Sequence, residues 1–411
     1  MSEASFTAGV KTPTPAMGRR LFNLLGPLAG LVLIIFVGGL AEYFKEGTVN
    51  YWSPQNQCLI LTQTVMVAIG AIGMTMIIIS GGIDLSVGSV VALSAVAAAW
   101  VVRALAVALS PQAQQMLGGG SSFAEVLRAA DLNLSGEAAF WVPLAALAVG
   151  IGVGTLAGAV NGSLITGLKL APFIITLGMM TFARGSAKWV ANMQRIDTPS
   201  SWIMEFTKAK LTLFSVGFES VPGREGPAAL FDVSPFDFHF FSFHMPWWPE
   251  RWTGPVATSW AVLLTIVLAI GAVILLARMR FGRHIFAIGS NEATARLCGV
   301  RVERTKILIY MLAGALFGLA GVTDYGRLSV GDPTTAIGKE LDIIAAVVIG
   351  GGSLSGGSGS IFGALIGALL MAHLRNLCVH LGLPNFVQEM VVGVVIVVAV
   401  AVDRLRQKKK E

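Results

Sequence analysis

Few residues of this chain could do chemistry, and those that could lie next to or within strongly apolar segments. Asp84 and Ser86 occur in the sequence GGIDLSVGS, residues 81–89, between two apolar runs. A carboxylate kept beside such runs could line a polar path or pair with a cation of another helix. Alternatively, either side chain could cap the first amides of the following helix, after a reversal that the glycines permit. The spacing leaves both interpretations open.

Arg184 lies inside an apolar stretch that begins at Pro172. If this stretch is helical, Arg184 is roughly 20 Å along it, at 1.5 Å per residue. Its donors could then contact the hydroxyl groups of a solute or a carboxylate of a neighbouring helix. The alternative is that its side chain extends to lipid headgroups. Either role is compatible with the sequence.

A third group of polar residues lies further along the chain. Its charged members are Asp324, Arg327, Asp332, Glu340 and Asp342, and Ser353 and Ser355 follow in the sequence GGGSLSGGSGS. The alternating charges could dock a soluble protein by complementarity, or form ion pairs of little energetic weight in a solvated loop. We take Asp84, Ser86, Arg184, Glu340, Asp342, Ser353 and Ser355 as candidates for a translocation path or gate.

No pattern indicates an enzyme or a metal centre. Cys58, Cys298 and Cys378 lack CxxC or Cys/His spacing, and a Cys58–Cys378 disulfide has little support. Paired carboxylates and a nucleophile elbow are absent. The phosphate cradle GxxxxGK[ST] is absent too, since Gly338-Lys339 lacks the preceding glycine loop and the following hydroxyl. We therefore expect no catalytic residue, metal or cofactor in this chain, and any ATP and Mg²⁺ to be bound by a partner subunit.

The composition predicts what kind of protein holds these residues. Of the 411 residues, 55% are hydrophobic and 13% are charged, and the mean hydropathy is +0.74. A soluble domain has roughly 25% charged residues, so this deficit indicates an all-α polytopic membrane protein. The net charge of +6 does not indicate nucleic-acid binding, because the basic residues lie at the ends of apolar runs.

Apolar runs long enough to cross a bilayer predict about ten transmembrane helices. They cover residues 21–41, 58–83, 85–102, 138–168, 172–190, 256–277 and 307–323, two parts of 343–372, and 386–402. The run 343–372 is too long for one crossing, and its glycine-serine centre divides it. Helices one to five thus fall within residues 21–190, and helices six to ten within 256–403. Residues 81–93 weakly resemble residues 351–365, which indicates a possible internal repeat.

Lysine and arginine positions predict the orientation, because cytoplasmic loops are enriched in both. With the amino terminus inside, the basic residues of the tail 1–20, the loop 278–306 and the tail 404–411 all face the cytoplasm. Residues 191–255 then form a periplasmic insert, in which Trp247, Trp248 and Trp252 are expected to make an aromatic belt. The charged residues between Asp324 and Asp342 would lie at the outer mouth.

The loop 278–306 is longer than a simple connection requires. Its sequence GSNE, residues 289–292, predicts the start of a short capped helix that Gly299 closes. The arginines alone could serve to hold lipid headgroups, but that role needs no capped helix. We therefore expect this loop to be offered to a partner protein. The residues concerned are Gly289, Asn291, Glu292, Ala293, Arg296 and Gly299.

The chain resembles the ribose- and xylose-type permease subunits of bacterial ATP-binding-cassette importers. The resemblance lies in GGIDLSVGS, in the block NGSLITGLKLAPFIITLGMMTFARG from Asn161, in GRHIFAIGSNEATARLCGVRVERTK, and in ELDIIAAVVIGGGSLSGGSGSIFGALIG from Glu340. It implies a permease of the bacterial inner membrane with both termini in the cytoplasm. It also implies a second permease copy, a cytoplasmic ATPase seated on residues 291–299, and a periplasmic sugar-binding protein as partners.

Two other functions remain open. A branched-chain amino acid permease of the same importer class would share glycine-broken helices in similar order. An ion-coupled sugar symporter would need carboxylates within its spans to bind protons or sodium. The predicted spans hold almost none, so the symporter is disfavoured. The insert 191–255 is longer than in ribose-type members, and the sequence names no particular sugar.

Overall fold

The apolar runs fold as α-helices in a computed structural model, which describes residues 16–47, 50–121, 125–126, 132, 134–216, 238–243 and 254–408. Fourteen α-helices lie within these residues: α1 Ala16–Glu46, α2 Pro54–Ile79, α3 Val87–Leu109, α4 Pro111–Gly118, α5 Ala138–Leu168, α6 Pro172–Val190, α7 Trp202–Lys208, α8 Trp260–Arg278, α9 Arg280–Ser290, α10 Glu292–Leu297, α11 Val302–Leu328, α12 Lys339–Ile349, α13 Ile361–His380 and α14 Asn385–Lys408. The strands are β1 Ile196–Asp197, β2 Lys210–Val216, β3 Phe238–Phe243, β4 Gly254–Ser259 and β5 Val330–Gly331.

Seven of the described helices are long and apolar enough to cross a membrane. They are α1, through its residues Gly26–Lys45, and α2, α3, α5, α8, α11 and α13. The chain is therefore an all-α polytopic membrane protein, as its composition predicted. The other three predicted spans correspond to α6, α12 and α14, and these do not meet the same criterion of length and apolarity. The count of ten membrane crossings stays a prediction.

Several helix starts follow directly from capping chemistry. The side chains of Ser53, Ser259 and Ser360 each accept a hydrogen bond from a backbone amide in the first turn of α2, α8 and α13. Proline occupies the first position of α2 and of α6, where its missing N–H is not needed. The bounds of α5 and α6 consequently agree with the apolar runs 138–168 and 172–190.

The helices pack around α2. In the most apolar 18-residue segment of α2, 89% of the residues are buried, compared with 28% in α5 and in α8. Glycines allow α5 and α11 to approach backbone to backbone. A Cβ at Gly154 would lie 2.7 Å from the Cα of Gly318, and one at Gly158 would overlap the carbonyl of Tyr310. Small residues serve this purpose at helix interfaces in membranes, where apolar burial from water does not drive association.

The run 343–372 does not form two equal spans. Its first helix, α12, has 11 residues and is about 16 Å long at 1.5 Å per residue, roughly half the hydrocarbon thickness. Ile343 of α12 packs against Gly70 in the middle of α2, and Gly350 packs against Gly363 at the start of α13. Thus α12 is a half-length helix, and the non-helical residues 332–338 precede it.

Three other expected boundaries differ from the structure. The helix α2 ends at Ile79 instead of residue 83, because Gly81 adopts a φ of +82°, which a helix cannot continue. Strand β4 occupies residues 254–259, where the sixth span was expected to begin. The loop 278–306 holds two helices, α9 and α10, instead of one.

The described residues of the insert 191–255 include strands and one short helix. Strand β1 pairs with β5 in antiparallel register, Ile196 opposite Gly331, so the start of the insert is joined to the segment between α11 and α12. Strand β2 lies between β3 and β4 in a second sheet. The expected belt residues Trp247, Trp248 and Trp252 lie outside the described residues.

Candidate functional site

The α9–α10 segment, residues 280–297, contains the short helix that the sequence predicted. The Asn291 side chain accepts a hydrogen bond from the amide of Thr294 at 2.9 Å, which caps α10. Gly299 follows the helix with a φ of +83°, the left-handed conformation that glycine provides after a helix end. Glu292, Ala293 and Arg296 are exposed on α10, and Ala295 is the buried residue of this helix, packed beside Ile288 and Val302.

Ion pairs tie α10 to the start of α11. Lys306 contacts Glu292 at 2.6 Å, and Arg296 contacts Glu303 at 2.5 Å and Glu292 at 3.6 Å. Exposed pairs of this kind contribute roughly 0–1 kcal/mol each, so the network adds little to the stability of the chain. Beside these charges, the Leu297 side chain is 88% exposed. The segment therefore presents one large apolar side chain beside exposed charges.

Asp84 is buried and forms hydrogen bonds with Ser86 and Asn161. Its carboxylate accepts hydrogen bonds from the amide of Ser86 at 2.8 Å and from the Ser86 hydroxyl at 2.5 Å. Asn161 of α5 donates to the Ser86 hydroxyl at 3.1 Å and to Asp84 at 3.4 Å. Within the described residues Asp84 forms no ion pair. Of the two expected caps, Asp84 binds the amide just before α3, and Ser86 makes no side-chain cap.

Arg184 supports the segment between α11 and α12. Its Nη1 donates to the carbonyl oxygens of Pro333 and Thr335, at 3.0 and 2.7 Å. The Thr335 hydroxyl in turn donates to Asp324 of α11 at 2.6 Å. The Arg184 guanidinium also interacts electrostatically with the carboxylates of Glu340 and Asp332, in keeping with the expected carboxylate partner. Its role in transport stays a prediction.

Asp332 binds the same segment to the insert. Arg195 donates to its carboxylate at 2.8 Å, and the amide and hydroxyl of Thr334 donate to it as well. Partial burial alone would raise the pKa of Asp332, but the hydrogen bonds from Thr334 and Arg195 hold that pKa below its usual value. Residues 329–338 are thereby attached to α6, to α11 and to the start of the insert.

Two of the acidic residues near α12, Asp324 and Asp342, are buried, contrary to the expectation of a solvated loop. Asp342 is 1% exposed, and Arg375 of α13 binds it through both oxygens at 2.8 Å. Lys339 donates to the same carboxylate at 3.1 Å. Asp324 is 2% exposed and accepts from Arg327 at 2.8 Å. The Asp342–Arg375 pair links α12 to α13, whereas Lys339–Asp342 lies within α12 and Asp324–Arg327 within α11.

The remaining predicted site residues lie at two places, the start of α12 and the loop between α12 and α13. Glu340 lies against the backbone of Gly88 at the start of α3, Ser353 is buried, and Ser355 is exposed in the loop between α12 and α13. Cys58 and Cys378 are free and buried, and Cys298 is free and exposed. Among the described residues no group of histidine, cysteine and carboxylate side chains could hold a metal ion.

Arg375 and Asn161 are site residues that no local sequence pattern indicates. Arg375 is a lone cation within an apolar run, and a buried carboxylate elsewhere in the chain was the signal that could have paired it. Asn161 opens one of the quoted motifs, but its contact with Ser86 joins residues 75 positions apart. Separations of this size are not visible in local spacing.

Comparison with known proteins gives consistent results over nearly the whole chain. Residues 58–400 match a family described as branched-chain amino acid transport system / permease component. The ribose import permease protein RbsC of Escherichia coli (strain K12) is 33% identical over 383 residues, covering 92% of this chain and 93% of that protein. The RbsC of Bacillus subtilis (strain 168) is 34% identical over 382 residues, covering 92% of each chain.

A second kind of relative is equally extensive. The xylose transport system permease protein XylH of Haemophilus influenzae is 30% identical over 398 residues, covering 92% of this chain and 96% of that protein. No solved structure matches the chain. The matched residues include the α9–α10 segment, the Asp84 turn and the half-length helix α12. This chain is therefore a multi-pass membrane protein that belongs to the branched-chain amino acid transport system permease family, alongside the ribose and xylose import permeases.

Proposed function

We propose that this chain is the permease subunit of an ATP-binding-cassette importer in the bacterial inner membrane, and that its cargo is a monosaccharide. The observation that carries the proposal is the match to ribose and xylose import permeases over 92% of the chain. The family description alone does not separate sugars from branched-chain amino acids, because it names a broader family. The full-length relatives favour a sugar.

The distribution of charge supports a chain that does not take its energy from an ion gradient. A symporter needs a carboxylate that an ion can reach and leave. Asp342 and Asp324 are instead bound by arginines, Asp84 is closed off by Ser86 and Asn161, and Glu340 interacts electrostatically with Arg184. The sequence also has no phosphate cradle. Energy would therefore come from nucleotide hydrolysis on a partner ATPase.

The partner ATPase would bind the α9–α10 segment from the cytoplasm. Leu297, almost fully exposed, would insert into an apolar pocket of the ATPase, and the charges of Glu292 and Arg296 would surround it. Buried apolar anchors inside a polar rim provide most of the affinity of typical interfaces. A second permease copy and a periplasmic binding protein would complete the importer. Both termini would face the cytoplasm.

The cargo is tested by uptake into proteoliposomes that contain this chain with the ATPase and binding protein encoded next to it. Labelled ribose, xylose and leucine are compared with ATP supplied on the ATPase side. We expect uptake of at least one sugar and none of leucine. Uptake of leucine without either sugar would favour a branched-chain amino acid permease.

The docking surface is tested through the native Cys298, which is exposed one residue after Leu297. We expect bound ATPase to protect Cys298 from a membrane-impermeant maleimide, and Leu297→Asp to remove both this protection and co-purification of the ATPase. In permeabilised cells without the ATPase, labelling should be complete. Full labelling in the assembled complex would contradict docking at this surface.

A further inference from the structure

Three turns from distant parts of the sequence meet at one place in the fold. They are the end of α2, the end of α9, and the loop between α12 and α13. We name this place the glycine junction and define it by Ile79, Gly81, Gly289, Gly356 and Gly357. The first and third turns belong to the two sequences that resemble each other, residues 81–93 and 351–365. The α9 end lies between them.

The first contact at the junction joins α9 to α2 and to the loop before α13. The amide of Gly357 donates a hydrogen bond to the carbonyl oxygen of Ile79 at 2.8 Å. A Cβ at Gly289 would overlap that same carbonyl oxygen and would lie 2.6 Å from the amide nitrogen of Gly357. Only glycine permits such an approach. The end of α9 thus packs directly against the hydrogen bond that joins the end of α2 to the loop before α13.

The second contact is equally close. A Cβ at Gly356 would lie 2.7 Å from the carbonyl oxygen of Gly289 and 3.0 Å from the Cα of Gly81. A Cβ at Gly357 would lie 3.2 Å from the Cα of Ser290. Backbone therefore contacts backbone at Gly289 and Gly356, while the nearest atom to a Cβ at Gly357 is the Ser290 hydroxyl. Close-packed contacts have low compressibility and transmit displacement, whereas flexible side chains would absorb part of it.

We propose that the glycine junction couples the position of the α9–α10 segment to two non-helical connections of the membrane domain. These are the α2–α3 turn and the loop between α12 and α13. Asn291, which caps α10, follows Ser290 directly, so a displacement of α10 reaches the junction within two residues. From there it acts on the α2–α3 turn and on the loop between α12 and α13 together. The half-length helix α12 and the mostly buried helix α2 would therefore move together. This inference rests on the proposed function, in which an ATPase moves α10.

The test compares two glycines of one loop that differ only in their surroundings. Gly356 and Gly351 have φ values of +86° and +91°, so alanine carries a similar backbone strain at either position. A Cβ at Gly351 meets nothing within 4 Å, whereas one at Gly356 meets Gly289 and Gly81. Gly356→Ala therefore adds a disturbed junction to the strain that Gly351→Ala carries alone.

The readout is sugar uptake per ATP hydrolysed, in proteoliposomes with the ATPase and binding protein. We expect Gly356→Ala to lower this ratio about tenfold relative to Gly351→Ala, while ATPase co-purification stays equal. A purely structural role would lower the yield of the complex without changing the ratio. Equal ratios in the two variants would overturn the inference. Absence of uptake by the unmodified complex would instead contradict the proposed function itself.

A second measurement needs no substitution. Hydrogen exchange of the unmodified complex is compared with and without a non-hydrolysable ATP analogue. We expect peptides covering residues 79–86, 280–297 and 350–360 to change protection together, including the amide of Gly357 bound to Ile79. A change confined to residues 280–297 would show that the junction does not transmit, and would refute the proposal even if Gly356→Ala fails to fold.

Discussion

At the scale of single residues, buried charges act as links between helices. Asp342 receives two hydrogen bonds from Arg375 and one from Lys339, so it joins α12 to α13. A buried pair contributes little in net terms, but removing one partner leaves an uncompensated charge. Replacing an arginine should therefore lower the free energy of unfolding more when its carboxylate partner is more deeply buried.

We expect Arg375→Ala to destabilise the protein by about 3 kcal/mol, since Asp342 is left buried with Lys339 as its remaining partner. Arg195→Ala is the matched control. It removes a bridge to Asp332 in which the arginine side chain is 72% exposed, and should cost about 0.5 kcal/mol. Thermal unfolding of the purified protein in detergent measures both. Equal destabilisation by the two variants would contradict the structural role given to Asp342.

Arg184 is the residue whose function the sequence left most open. Its removal leaves the carbonyls of Pro333 and Thr335 without their donor, so residues 329–338 should loosen. We expect Arg184→Ala to lower uptake while ATPase association stays intact. Lys188→Ala, one turn further along α6, is the control and should transport normally. Unaltered uptake kinetics in Arg184→Ala would favour a side chain that serves only to reach the membrane surface.

At the scale of elements, α10 is the piece that the proposed function depends on. Glu292 holds Lys306 and Arg296, and Gly289 lies within the glycine junction. We expect Glu292→Trp and Gly289→Val to uncouple ATP hydrolysis from uptake without preventing membrane insertion. The ratio of sugar taken up to ATP hydrolysed measures this, with Gly271→Val of α8 as a control because a Cβ there meets nothing within 4 Å. Normal transport by both variants would count against the role of this segment.

Local chemistry explains which elements the sequence could predict. The bounds of α5 and α6 follow from apolar runs that end at Lys169 and begin at Pro172, and α10 follows from Asn291 and Gly299. The start of α12 was missed because Lys339, Glu340 and Asp342 resemble a solvated loop. All three are helical, and Asp342 is buried because Arg375, 33 positions away, compensates its charge. Such long-range pairing has no local signature.

At the scale of the whole molecule, glycines make backbone contacts between distant segments that the sequence pattern did not predict. The weak resemblance between residues 81–93 and 351–365 suggested a repeat, but gave no reason to place Gly81 beside Gly356. That proximity arises because α2, α12 and α13 pack together and the end of α9 fits between their turns. In the proposed importer, the chain would be a passive gate. Its α2–α3 turn and its α12–α13 loop would move when the ATPase displaces the α9–α10 segment.

Reconstitution of the purified chain distinguishes an ATP-dependent permease from an ion-coupled carrier. Proteoliposomes containing this chain alone are given a proton or sodium gradient, and parallel vesicles also receive its ATPase, its binding protein and ATP. The account predicts concentrative uptake of a monosaccharide in the second set and none in the first. Concentrative uptake by the chain alone, driven by either ion gradient, would contradict it.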